Sequence, residues 1–163
     1  MPKMFKAFEV KRNEVKVVII GQDPVPDAGK ATGLAFSLQP GVNPRESVPT
    51  VLNMLVELKW EGMNVGLSNG DLSPWVDRGV LLLNAALTVR QGNSNANAGS
   101  HQRLWTVFTQ LLVQHISGKG QPTAWILWGD EAKDFARKHE LIDRKKHYIK
   151  AGGHPSQIGR AHV

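Results

Sequence analysis

Cysteine is absent from all 163 residues. Disulfides and thiolate nucleophiles are therefore excluded, and a structural zinc cluster is not expected. The chain also lacks any apolar run of membrane-spanning length and any signal-peptide pattern, so a cytoplasmic protein with no membrane partner is expected. Acidic residues are few: 14 Asp and Glu stand against 20 Lys and Arg, for a net charge of +6. That balance favours polyanions, with binding that weakens as salt rises, although basic charge alone does not single out nucleic acid. Repeats, linkers and low-complexity segments are missing too. Residues 1–163 therefore read as one domain, expected to be a monomer, with 41% hydrophobic content to build one sheet-based core.

What is present alternates between strand and helix patterns. Val15 to Ile20 reads as a buried strand, and residues 25–46, rich in Gly and Pro, as a long loop. Val51, Leu52, Leu55, Val56 and Leu58 recur at helical spacing, which predicts a helix over 49–60. Residues 61–78 read as irregular. Val80 to Leu83 is too continuously apolar for an exposed strand and fits a parallel one covered on both faces. Gln91 to Gly99 is a polar loop, Ser100 a candidate N-cap, and Leu104, Val107, Phe108, Leu111, Leu112 and Ile116 form the expected inward face of a long helix. Ala124 to Trp128 predicts a third strand, about Asp130 to His139 a helix, and His147 to Lys150 a fourth strand. The expected class is α/β: a three-layer α/β/α arrangement around a short four-stranded parallel sheet.

Function is most legible at residues 17–24, Val-Val-Ile-Ile-Gly-Gln-Asp-Pro. A β-branched run stops at a glycine, and a carboxylate follows on a proline-stiffened turn. Parallel sheets bind ligands at the carboxyl ends of their strands, which places Gln22 and Asp23 at a site. With Gly33-Leu34-Ala35-Phe36-Ser37, this stretch resembles the water-activating motif of the family-1 uracil-DNA glycosylases. Three further segments match in the same order: Gly79 to Arg90, Ile126-Leu127-Trp128-Gly129, and His154-Pro155-Ser156. The chain starts almost at the first strand, so it looks like a minimal or truncated member.

Cleaving an N-glycosidic bond leaves oxocarbenium character on the sugar and negative charge on the base. An anion near the sugar, a donor near the base oxygen and a water are required. Asp23 can supply the anion and orient the water, and His154 can donate to the departing base; the resemblance gives them these same roles. One such charge at ~5 Å and an effective dielectric of ~20 is worth roughly 3 kcal/mol. Neither a metal nor a cofactor is implied. By the resemblance, Phe36 stacks under a flipped base, Asn84 reads its edge, Ser47 and Ser156 grip flanking phosphates, and Ile158 stands where the family places a leucine wedge. Asp130 occupies a position where another phosphate-contacting serine is expected. The Arg144-Lys145-Lys146-His147 run reads mainly as a solvated approach to the last strand.

One departure bears on the substrate. After Gly-Gln-Asp-Pro the family carries Tyr-His, whereas this chain has Val25-Pro26. The tyrosine is the wall that meets a C5 methyl, and packing alone discriminates one methyl by only ~1–3 kcal/mol. Three readings follow: a pyrimidine with a bulky C5 substituent, as in some bacteriophage DNA, with a role in defence; uracil, in base-excision repair; or binding of uracil-containing or abasic DNA without turnover. The first is the leading expectation and uracil the next.

Overall fold

The computed structural model describes residues 3–47, 49–92, 97–138 and 140–158, without the side chains of Lys138 and Ile158. A 3-10 segment, Lys3–Glu9, precedes β1 (Val17–Gly21), and a 3-10 turn, Pro44–Glu46, leads into α1 (Pro49–Trp60). Then come α2 (Ser73–Val76), β2 (Val80–Asn84), α3 (Gln102–Ser117), β3 (Ala124–Trp128), α4 (Gly129–Lys138), β4 (Tyr148–Gly152) and α5 (Pro155–Ile158).

The strands form one four-stranded sheet in the order β2-β1-β3-β4, with every neighbouring pair parallel. The α/β class and the parallel sheet are thus as expected. Register sets Gly21 beside Asn84 on one flank, and on the next pair Trp128 beside Gly152, so the strands finish level along one edge. Val18, Ile19 and Ile20 are each at most 2% exposed, as are Leu81, Leu82 and Leu83. Side chains alternate between faces, so unbroken burial means that β1, and β2 although it lies at one edge of the sheet, are covered on both. β4 is the opposite edge strand, and Tyr148, Lys150 and Ala151 on it are exposed.

Helix α3 departs from the sequence expectation. Leu104, Val107, Phe108 and Leu111 are 42–75% exposed, while Thr109, Val113, Ile116 and Ser117 face the core. Of the expected inward stripe only Ile116, and in part Leu112, points inward. One bond to the rest of the fold holds this rotation, the Trp105 indole N–H donating to Thr88 Oγ1 at 2.7 Å, while the Thr109 hydroxyl donates to Trp105 O at 2.9 Å within the helix. A threonine satisfied within its own helix can be buried cheaply.

Four smaller expectations are corrected as well. The N-cap of α3 is His101 rather than Ser100, whose hydroxyl instead accepts from the Arg90 N–H. His147 belongs to the core rather than to β4: its Nδ1 accepts from the Thr123 N–H at 3.1 Å, and its Nε2 bonds Ser117 O at 2.8 Å. The stretch 61–78 contains α2, and the first strand begins at Val17 rather than Val15. The expected end of α4 at His139 and residues 93–96 of the polar loop lie outside the described residues.

Candidate active site

The level strand ends create the site. Beyond β1, the Ala85 and Ala86 N–H groups donate to Gly21 O and Gln22 O, both at 2.9 Å, so the two chains remain zipped past the formal ladder. Gly21 itself must stay small. A Cβ there would lie 2.5 Å from Asn84 Oδ1 and 3.1 Å from the Ala35 Cβ. The bare backbone lets Asn84 and Phe36 close over the strand end.

Asp23 leaves this end half-buried, and its Oδ2 accepts from the Gly99 N–H at 2.6 Å. Burial raises its pKa above the usual carboxylate value, more than the Gly99 bond lowers it, and Glu131 adds repulsion. Asp23, Gln22, Val25, Phe36 and Asn84 line one cavity of about 160 Å³, with Thr50 at its side. Asn84 is buried and offers an amide donor and acceptor to that cavity. Phe36 adopts φ +65°, a left-handed conformation unusual for an aromatic residue, and packs edge-on to Trp128 at 5.9 Å. The five expected substrate and catalytic positions, four that follow β1 and one that ends β2, therefore converge.

His154 reaches the same place from β4, its ring 6.0 Å from that of Phe36. A second cavity of about 400 Å³ carries His154, Trp128 and Glu131 and shares Gly21 and Gln22 with the first. The Ser156 N–H donates to His154 Nδ1 at 3.2 Å, with Ser156 Oγ at 2.8 Å from the same nitrogen. A main-chain N–H can only donate, which assigns Nδ1 as the acceptor and leaves the proton of the neutral ring on Nε2. Burial lowers the pKa of His154 below its ordinary value and favours this neutral form. The result is an uncharged N–H donor beside the Phe36 ring and a carboxylate in the cavity that Phe36 lines.

The outer positions are less tightly gathered. Ser47 and Ser156 are exposed. Asn53 on α1 donates to Pro155 O at 2.8 Å, which ties the helix that follows Ser47 to the turn that holds Ser156. The side chain of Ile158 lies outside the described residues. Asp130 is exposed and pairs with Lys133 at 2.7 Å. A larger cavity of about 770 Å³ beneath α4 and β4 contains none of the converging residues. Among the described residues, no group of three His, Cys, Asp or Glu side chains could hold a metal, and no helix is long and apolar enough to cross a membrane.

The profile of the uracil DNA glycosylase superfamily matches residues 8–162. The chain belongs to this superfamily. It is 42% identical over 163 aligned residues to the uracil-DNA glycosylase of Clostridioides difficile strain 630, covering 96% of this chain and 68% of that protein. Against the Pasteurella multocida uracil-DNA glycosylase the identity is 40%, over 96% of this chain and 67% of the relative. The mimivirus uracil-DNA glycosylase crystal structure superposes with a TM-score of 0.82 at 28% identity, covering 96% of this chain but 55% of that one. The chain spans 44–68% of the length of these and other curated relatives that it matches.

Within this superfamily fold, three contributors escaped the sequence reading. Trp128, which braces Phe36, lies in a recognised segment but carried no assigned role. Glu131 acts on Asp23 from the first turn of α4. Gly99 supplies a main-chain donor from a polar loop, and a backbone N–H leaves no side-chain signature.

Proposed function

We propose that the chain hydrolyses the N-glycosidic bond between uracil and DNA, leaving an abasic site. The observation that carries this reading is the convergence of Asp23, Phe36 and Asn84 on one cavity, with the neutral His154 donor against the same aromatic ring. The names of the relatives support uracil over the bulky-C5 expectation that led the sequence reading.

A uracil flipped out of the stack lies on Phe36, and the Asn84 amide pairs with its N3–H and exocyclic oxygen. As the bond from C1′ to N1 breaks, its electron pair moves to the base, and His154 Nε2–H donates to the oxygen where charge gathers. Asp23 stabilises the cationic sugar and takes a proton from the water whose oxygen bonds to C1′. Asp23 then loses that proton to solvent and the uracil anion takes one up, so the sum is free uracil, an abasic sugar and an unchanged protein. Ser47 and Ser156 grip the flanking phosphates and Ile158 fills the vacated stack. The exposed Asp130 offers no hydroxyl to a phosphate on that side, and Lys133 offsets its charge.

One observation favours a second reading. Val25 lines both the base cavity and a neighbouring cavity of about 260 Å³, together with Pro24, Ala31 and Gly33. A substituent at C5 has space to enter beside Val25, so a C5-modified pyrimidine, as in a defence role, ranks behind uracil. Incubation with DNAs carrying uracil, thymine, cytosine or C5-enlarged pyrimidines, scored for abasic sites, tests both. Release of uracil is expected. Binding without release from any of them overturns the hydrolase reading in favour of a DNA-binding module.

A further inference from the structure

We propose that the main-chain N–H of Gly99 is a positioning group for the Asp23 carboxylate, held on target by a polar bridge between the segment after β2 and the start of α3. The inference rests on the hydrolase reading above and names a group that neither the motifs nor the relatives assign.

The contact joins residues 76 positions apart, at 2.6 Å. Such a short bond to an ionised acceptor belongs to the stronger class of hydrogen bonds. Gly99 has φ +73°, a conformation open to glycine, and this turns its N–H back toward β1. Its neighbours are pinned. Ser100 Oγ accepts from the Arg90 N–H at 2.9 Å, and Gln102 N–H closes a turn onto Gly99 O at 3.0 Å. Thr88 Oγ1 bonds His101 Nδ1 at 3.0 Å and accepts from the Trp105 indole at 2.7 Å. Thr88 and Arg90 follow directly from the strand that presents Asn84. The segment that carries the base-reading amide therefore also fixes the donor to Asp23.

The consequence is chemical. With Oδ2 held by Gly99, rotation of the carboxylate is fixed, and among the described residues Oδ1 has no hydrogen-bond donor. Oδ1 is the oxygen left to orient the attacking water. Glu131 on α4 opposes ionisation of Asp23. His154 is held neutral by the Ser156 N–H that donates to its Nδ1, and Asp130 and Lys133 neutralise one another. The Gly99 N–H is the one group named that favours the ionised form.

Replacing Gly99 by glycolate, which turns the 98–99 amide into an ester, removes the donor and leaves the glycine-like backbone in place. Uracil release under single-turnover conditions is expected to slow roughly ten- to hundredfold. The acid limb of its pH profile and the Asp23 Cγ titration midpoint, read by NMR, are both expected to move upward, with affinity for uracil-containing DNA retained. Thr88→Val, which removes the bridging hydroxyl at nearly constant shape, is expected to move the same readouts by a smaller amount. It decides the matter if the ester fails to fold. An unmoved Asp23 midpoint in the folded variant overturns the proposal. If the unmodified protein releases no uracil, the hydrolase reading fails instead, while the titration midpoint still decides the Gly99 tie.

Discussion

Asp23→Asn removes a charge while keeping the side-chain shape, and its effects on activity and on stability are expected to have opposite signs. A carboxylate ~5 Å from the developing cation, at an effective dielectric of ~20, stabilises it by roughly 3 kcal/mol, about a hundredfold in rate. Loss of the proton acceptor for water removes a further ~10²–10⁴. Release of uracil should therefore fall by about 10⁴ or more. Stability moves the other way. The folded pKa of Asp23 lies above its ordinary value of 3.8, chiefly through burial, so between 3.8 and that raised value the folded state binds more protons than the unfolded one. Ionisation thus costs stability as pH rises through this window, and the cost is fully present above it. Asparagine is spared that cost and can still accept from Gly99. The variant should be as stable as the parent at pH 7 or more so, by less than about 1 kcal/mol after solvent screening, and the gap should close as pH falls toward 3.8. Single-turnover kinetics beside urea unfolding at pH 7 and pH 4.5 measure both. A rate loss below tenfold, or a clear loss of stability at pH 7, would refute the reasoning.

The tautomer of His154 is directly observable: ¹⁵N NMR should place its proton on Nε2, with titration below pH 6.5. His154→Ala should slow release far more than it weakens product binding, since the donor matters most as charge builds on the base. Leu104→Lys should change stability by less than about 0.5 kcal/mol because the side chain is 75% exposed, whereas Val113→Ala, at a position 1% exposed, should cost about 2 kcal/mol; equal costs in urea melts would mean that α3 is turned the other way. Val25→Tyr should abolish any release of C5-enlarged pyrimidines by filling the space shared with the adjoining cavity, while release of uracil persists. Abasic-site assays across substrates would expose the opposite pattern.

Much of this was readable before any coordinates. The strands announced themselves as unbroken apolar runs because parallel strands covered on both faces leave no polar alternation, and Val80 to Leu83 is the clearest case. Asp23, Asn84 and His154 were legible because each sits where a strand ends. The facing of α3 was not. Periodicity reveals an apolar stripe, but which side the sheet covers depends on the remote tie from Trp105 to Thr88 and on a Thr109 hydroxyl that its own helix already satisfies. His147 was hidden in a basic run because the carbonyl and N–H that satisfy it come from Ser117 and Thr123, far off in sequence. Lys119, nearly inaccessible to solvent, is likewise satisfied by a remote carbonyl, that of Val15. Polar groups buried by distant backbone partners have no local pattern to betray them.

The all-parallel ladder also governs when the cavity exists at all. β1 pairs Val17 with Val80 on one side and with Ala124 on the other, so no hairpin can bring its neighbours to it. Gly21, Phe36, Asn84 and His154 meet only where these long-range pairings are closed, so the cavity exists only in the assembled sheet. A pyrimidine seated between Phe36 and Asn84 has no counterpart to bind in the unfolded chain. At about a hundred times its dissociation constant, such a ligand would stabilise the native state by ~2.7 kcal/mol. That gain would be felt through β1 and β2, whose paired ends at Gly21 and Asn84 form the seat.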